Sequence, residues 1–377
     1  VYTIYLDGEV LHAPTLAENG YVVSSPKLEL EVNKAGSLTF TVTEQNPCYD
    51  KISLIKSIVT VYSENEIIFR GRVAETTMDF YRRKEVYCEG ELAFLLDSVH
   101  RPEYESVTVT EWLSRVIRQH NAQVDSRRCF AFGKNTATEK SFGLSAADTE
   151  KIVYETTFDF ISTNILDEFG GYLRTRGSED TRYIDYLAEG SIESGQTIEF
   201  GKNLLDLSHV ISADNVFTVL IPVGATTTEE KNGADQVSGT VTIASVNNGK
   251  DYIENEKAVK LFGRIWATEQ WDDETSPSAL YKKGLSYLNL HVSESVSLSL
   301  SAVDLSLLGA EYDRFRLGET VRVVSVPHGI DTTFTISGMS LDLENPGSST
   351  YELGSPKAKL TESVLKQTKN KNIVLHG

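Results

Sequence analysis

A chain of 377 residues exceeds one ordinary core, so two to four domains are expected. Hydrophobic residues make up 40% and charged residues 24%, the proportions of a soluble globular protein. There is no run of about 18 apolar residues to span a membrane, and no basic region followed by an apolar stretch to act as a secretory signal. A net charge of −18 repels phosphate backbones and sets aside nucleic-acid binding as the function.

Cys48, Cys88 and Cys129 lie far apart with no CxxC spacing, which is neither a disulfide framework nor a zinc site. They read as reduced core residues of a protein made in a reducing cytoplasm. The acidic balance reverses in one place, residues 357–371, with five lysines against one glutamate.

Residues 1 to about 100 read as short strands. Residues 2–6 alternate and meet the turn Asp7-Gly8. Residues 27–32 and 37–42 alternate on either side of Ala35-Gly36, a predicted hairpin. After Asn46-Pro47 the sheet continues through 58–62, 67–73 and 85–89, and 91–96 suit a helical turn. From about 104 the period changes. Leu113, Val116, Ile117 and His120 fall at helical spacing behind Thr108 or Thr110 as cap. Residues 127–143 read as loop, 157–169 as a second amphipathic helix stopped by Gly170-Gly171, and 172–175 with 182–187 as a hairpin.

Strands return at 204–207 and 215–223, then at 241–246 and 263–266, with 226–233 polar and exposed. Ser276 caps a third helix with Pro277 at its first position. Residues 293–300 alternate strictly. The C-terminal stretch 316–354 is a compact antiparallel unit of four runs, 321–326, 333–336, 340–343 and 350–353, punctuated by Pro327-His328-Gly329 and Asn345-Pro346-Gly347.

That unit rhymes with the first hundred residues. Val59-Thr60-Val61-Tyr62 matches Val321-Arg322-Val323-Val324, and Met78-Asp79-Phe80 matches Leu341-Asp342-Leu343. Phe69 pairs with Phe334, and Tyr87 to Gly90 with Tyr351 to Gly354. Few identities carry the match, and two unrelated antiparallel sheets could share as many. The alternative is two copies of one barrel, the second split by an α+β insertion.

Catalytic patterns are missing. There is no HExxH, GxSxG, GxxxxGK[ST] or GxGxxG. His291 and Glu294 stand three apart but lack a third ligand at a sensible spacing. Carboxylates cluster in Trp271-Asp272-Asp273-Glu274 and Glu179-Asp180, where solvated loops are expected. No catalytic, cofactor-binding or metal residue is assigned, and no cofactor is expected.

The run LSLSAVDLSLL (298–308), followed by RLGETVRVVSVPHGID, LDLENP and YELG, resembles the N-terminal region of siphophage and prophage tail-associated proteins, the prophage tail endopeptidase family. YIDYLAEG, IEFGKNLLDLS and VFTVLIPVGA are similar to that family's middle region, and IIFRGRV with VYCEGELAFLLDS to its start. The resemblance spans essentially the whole chain. It implies a mainly β fold with an α+β part, phage baseplate-hub-like: residues 1–103 as a first β-barrel domain, 204–225 with 297–354 as a second, split barrel, 104–203 packed with 226–296 as an α+β middle domain, and 355–377 as a basic C-terminal helix or connector.

It also implies a homotrimer, a pseudo-sixfold ring of barrels at the tail tip of the virion. The ring would meet the distal tail protein and the tail tube and tape measure proteins, and DNA would pass through without specific binding. Members that digest peptidoglycan carry the enzyme beyond this region. The sequence ends at Gly377 without such a domain, so the expectation is either a truncated piece of a longer protein or a hub without an enzyme. The rival readings are a peptidoglycan-degrading tail enzyme and a carbohydrate-binding receptor protein using Trp266 and Trp271.

Overall fold

Alternation of apolar and polar residues builds most of the molecule. A computed structural model of the chain describes residues 2–101, 106–142, 154–212, 216–229, 237–272, 274–291, 295–307 and 313–354. The chain divides into a larger unit, residues 1–208 with 298–377, and a smaller one, residues 209–297.

The larger unit opens with β1 (Tyr2–Leu6), β2 (Glu9–His12), β3 (Ser24–Glu31), β4 (Ser37–Val42), β5 (Ile58–Ser63), β6 (Glu66–Met78) and β7 (Lys84–Gly90). Their inward residues, among them Ile4, Leu28, Leu38, Phe40, Val59, Val61 and Val86, are all buried. The expected hairpin of 27–32 with 37–42 is β3 and β4, paired antiparallel across the Ala35-Gly36 turn. The helical turn expected at 91–96 is a 3-10 segment, Glu91–Asp97.

Next come β8 (Val107–Thr108) and α1 (Val109–Asn121), whose Trp112, Leu113, Val116, Ile117 and His120 form the buried stripe. Thr108 is the cap, its side chain accepting from the Glu111 amide. β9 (Ala131–Asn135) and β10 (Ser141–Phe142) lie within 127–143, which the sequence suggests is loop. β9 pairs in parallel with a strand some fifty residues later, so no local turn signal marks it. α2 (Thr157–Ile161) runs through a π turn at Ser162–Leu166 into α3 (Asp167–Phe169), and Gly170 stops the helix at φ 72°. The hairpin of β11 (Tyr172–Gly177) and β12 (Arg182–Leu187) follows as expected. This segment packs through Phe158, Ile161, Ile165 and Tyr186 on Leu92, Phe94 and Leu95 at the end of the first β module.

Two strands lead out of it: β13 (Glu193–Glu199), which the sequence reading passes over, and β14 (Leu204–Ser212). The smaller unit holds β15 (Val219–Glu229), β16 (Val237–Thr242), β17 (Ile253–Glu254), α4 (Glu256–Phe262), β18 (Trp266–Gln270) and α5 (Pro277–Leu290). The cap at Ser276 and Pro277 in the first turn of α5 are as expected, and Leu280 and Leu288 of α5 close a core with Leu220, Ile243 and Ile253. Residues 219–225, assigned from the sequence to the second barrel, instead pair with β16, β17 and β18. Residues 226–229, read from the sequence as polar and exposed, extend that strand. A polar run at a sheet edge looks like loop until its partner is known.

The larger unit resumes with β19 (Ser295–Ala302), β20 (Thr320–Ser325), β21 (Ile330–Asp342) and β22 (Thr350–Leu353). The two runs 333–336 and 340–343 are one strand, β21, because a register shift between Ile336 and Gly338 breaks the alternation without breaking the strand. The lysine-rich segment 355–377 lies outside the described residues.

These strands repeat the first module. The meander β5–β6–β7 has strands of 6, 13 and 7 residues, and β20–β21–β22 has strands of 6, 13 and 4. β4 flanks β7 as β19 flanks β22, and both meanders carry a register shift at the same place, between Val73 and Glu75 and between Ile336 and Gly338. The ladders align Val59 with Val321 and Met78-Asp79-Phe80 with Leu341-Asp342-Leu343, as the sequence rhyme has it.

The ladders correct two other matches. Phe334 faces Val321, but Gly71, not Phe69, faces Val59. Phe69 sits two residues earlier on the same face, and its ring fills the space where a Gly71 side chain would be. Likewise Cys88 pairs with Val73 as Leu353 pairs with Ile336, so Tyr351 corresponds to Val86 and not to Tyr87. One departure distinguishes the copies: β1 runs antiparallel to β5, whereas β13 runs parallel to β20.

Candidate functional site

The residues with chemical potential are mostly packed away. Cys48 and Cys88 are buried, and burial pushes both thiols up, away from the reactive thiolate. His291 stacks on Phe217 with ring centroids 4.8 Å apart, and its Nδ1 lies 2.8 Å from the Tyr287 carbonyl oxygen. Its expected neighbour Glu294 lies outside the described residues. Among the described residues no group of three His, Cys, Asp or Glu side chains could hold a metal ion.

Glu179 accepts a hydrogen bond from the Tyr62 hydroxyl at 3.2 Å, and Asp272 accepts one from Gln270 at 2.7 Å. Trp271 packs against Tyr287 in the small unit's core, whereas Trp266 is half exposed, edge-on to Tyr252. No helix among the described residues is long and apolar enough to cross a membrane.

One constellation lies outside the residues that the sequence singles out for chemistry. Ser98 Oγ lies 2.7 Å from His120 Nδ1 and 2.7 Å from Thr157 Oγ1, and His120 Nε2 lies 3.0 Å from the Arg128 carbonyl oxygen. The carbonyl can only accept, so Nε2 carries the proton, Ser98 donates to Nδ1, and Thr157 donates to Ser98. The Ser–His spacing is that of a nucleophile and its base. All three side chains are buried, however, so no substrate reaches them, and the chain of hydroxyls serves to tie α1 and α2 to the end of the 3-10 turn. Three distant stretches of sequence supply it, so no motif could mark it.

A second buried cluster fastens the helical segment to the first module. Arg182 of β12 forks onto both carboxylate oxygens of Glu91, one bond measuring 2.9 Å, and Arg70 of β6 stands 3.7 Å from the same carboxylate. All three are nearly inaccessible, so the shared carboxylate fixes where β12 sits on β6.

What the molecule offers to solvent is sheet edge. The two modules join inside the chain: β21 pairs antiparallel with β3, setting Leu341 opposite Leu28, Asp342 opposite Lys27 and Met339 opposite Leu30. On that edge of β21, β20 covers the first half of the strand and β3 the second half, while β22 takes the other edge. The hairpin tip adds a hydrogen bond from the Leu343 amide to the Pro26 carbonyl oxygen at 3.0 Å, and one from the Ser25 amide to Glu344 at 3.1 Å. Met339, Leu341 and Leu343 are buried there.

The corresponding edge of β6 is bare. β5 covers Glu66 to Arg72, and beyond Val73 no strand among the described residues lies on that side. Met78, Phe80 and Tyr81 there are 58%, 92% and 75% exposed. Among the described residues no strand lies along the outer edge of β14, at the end of the sheet beside β19, and Leu205 there is 59% exposed.

With this arrangement known, comparisons with other proteins are decisive. Residues 192–364 match the family model described as prophage endopeptidase tail. The fold is that of prophage tail proteins. The chain is similar to prophage tail protein gp18 from Listeria monocytogenes EGD-e (TM-score 0.54, 15% identity, 92% of each chain covered). It is similar to a tail protein from Neisseria meningitidis MC58 (TM-score 0.60, 14% identity, 94% of this chain and 96% of that one). It is also similar to the 43 kDa tail protein of prophage MuSo2 from Shewanella oneidensis (TM-score 0.59, 12% identity, 95% and 98%). No curated protein matches by sequence. The resemblance to prophage tail proteins and the mainly β fold expected from it are borne out.

Proposed function

We propose that the protein is a structural hub of a phage tail tip. Copies assemble as a homotrimer in which each chain contributes two barrel modules, residues 1–103 and the meander of 297–354 with its flanking strands. Six modules then form a pseudo-sixfold ring between the tail tube and distal tail protein on one side and the tip on the other.

The observation that carries this reading is the duplicated meander with the β21·β3 joint, because a chain with two like modules joined edge to edge presents near-equal faces to a sixfold and a threefold neighbour. The acidic surface lets DNA pass without being gripped, as like charge lowers affinity. The role is non-enzymatic, supported by the burial of the Ser98–His120 pair and of the cysteines.

Light scattering with negative-stain imaging at high protein concentration tests the reading. The expected particle is a ring of three times the chain's 41.8 kDa. Rings of another subunit number would defeat it, and clearing of bacterial wall material by the purified chain would defeat its non-enzymatic part.

A further inference from the structure

The internal joint leaves two complementary halves unused. β3 stands next to β4, β7 and β6 as β14 stands next to β19, β22 and β21. Within the chain, the far half of β21 takes the free edge of β3. The far half of β6 is the same feature in the other module, and the free edge of β14 is the same feature as that of β3. Among the described residues the chain therefore carries one completed joint together with a donor and an acceptor of the same type that no strand pairs. Such a heterologous contact repeats from copy to copy and closes into a ring when the rotation allows.

We propose that the far half of β6, residues 75–78, pairs antiparallel with β14, residues 204–208, of a second copy of this chain, in the geometry of the internal β21·β3 joint. This rests on the ring reading above and gives it a surface.

An independent observation points the same way. Leu341 and Leu343 are buried by the joint they belong to, and the residues in their places on β6, Met78 and Phe80, are among the chain's most exposed large apolar side chains, with Tyr81 beside them. Isolated apolar residues on a surface are ordinary, but three within four positions on a strand end and its turn mark an association edge. By analogy with the Leu343 amide and the Pro26 carbonyl, the β6–β7 tip then reaches the residues just before β14 of the neighbour, and Met78 meets the leucines of 204–207. Leu205, exposed on β14, is covered by the same contact. Backbone hydrogen bonds supply most of the register, and the apolar tip excludes water from them.

The test uses the full chain in sedimentation velocity over a wide concentration range. Phe80→Asp with Tyr81→Asp, and separately Leu205→Asp, should each raise the concentration at which the trimer dissociates by about tenfold or more. Val326→Asp, at the exposed tip between β20 and β21, should leave it unchanged. Unaltered circular dichroism shows that each variant folds. A trimer that persists at the parent midpoint in both edge variants overturns this joint and leaves the ring reading standing.

If the parent chain stays monomeric, a second measurement decides. In a Cys129→Ser background, chains with Thr77→Cys are mixed with chains carrying Leu205→Cys or Asp206→Cys and treated with a short thiol crosslinker. Crosslinking of the mixed pair above either chain alone supports the joint. Equal crosslinking overturns both the joint and the ring.

Discussion

At the scale of single residues, burial decides what each polar group can do. His120 is held neutral: burial pulls its proton affinity below the ordinary value of about 6.5, outweighing the hydrogen bond to the Arg128 carbonyl. Below about pH 6.5 the unfolded chain takes up a proton at this ring that the folded chain refuses. Stability from this group is therefore whole above that pH and falls as the pH drops toward the folded value. Protonating Nδ1 would also force the Ser98 hydroxyl to turn and the Thr157 link to reverse. Thermal unfolding followed from pH 7.5 down to 5.5 should show this loss, and His120→Gln should flatten the slope in that window while lowering stability throughout. An unchanged slope would mean that the ring does not titrate as described.

At the scale of elements, the 13-residue strands β6 and β21 organise both modules. β21 serves β20 and β3 on one edge and β22 on the other, β6 serves β5 and β7, and each strand carries a register shift midway against the last strand of its meander. In the first module this bend is packed with glycine. Gly71 faces Gly90 across the ladder, and Phe69 lies over both. A methyl on Gly90 would collide with the carbonyl oxygen of Ala35, in the turn between β3 and β4. The obstacle is backbone, which cannot rotate aside, so Gly90→Ala should destabilise the larger unit by about 1–3 kcal/mol in urea denaturation. Gly249→Ala makes a useful contrast: nothing lies within 4 Å, and the cost there is its left-handed φ of 80° alone.

At the scale of the whole molecule, charge opposes association and edge pairing favours it. Copies with a net charge of −18 repel one another over a Debye length of about 30 Å at 0.01 M salt and only about 8 Å at 0.15 M. Ring assembly should therefore strengthen as salt rises across that range, measured as a falling dissociation midpoint in sedimentation. A contact held by ion pairs would weaken instead, and that result would argue against strand pairing as the source of the contact.

The sequence alone determined most strands of the first module, the capped helices at 109 and 277 and the hairpin at 172–187, and it suggested the similarity of the two meanders. Each is written in neighbouring residues, as a period, a cap or a turn, and short-range sterics read it directly. Tertiary structure decided the rest. It assigned β15 to the small unit's sheet, made one strand of two runs in β21, and raised strands at 131–135 and 193–199 through parallel partners far along the chain. It also placed β3 against β21, and by comparison no strand among the described residues lies beside the far half of β6 or the outer edge of β14. An edge has no signature in its own residues, because whether a strand is paired depends on what the rest of the chain brings beside it.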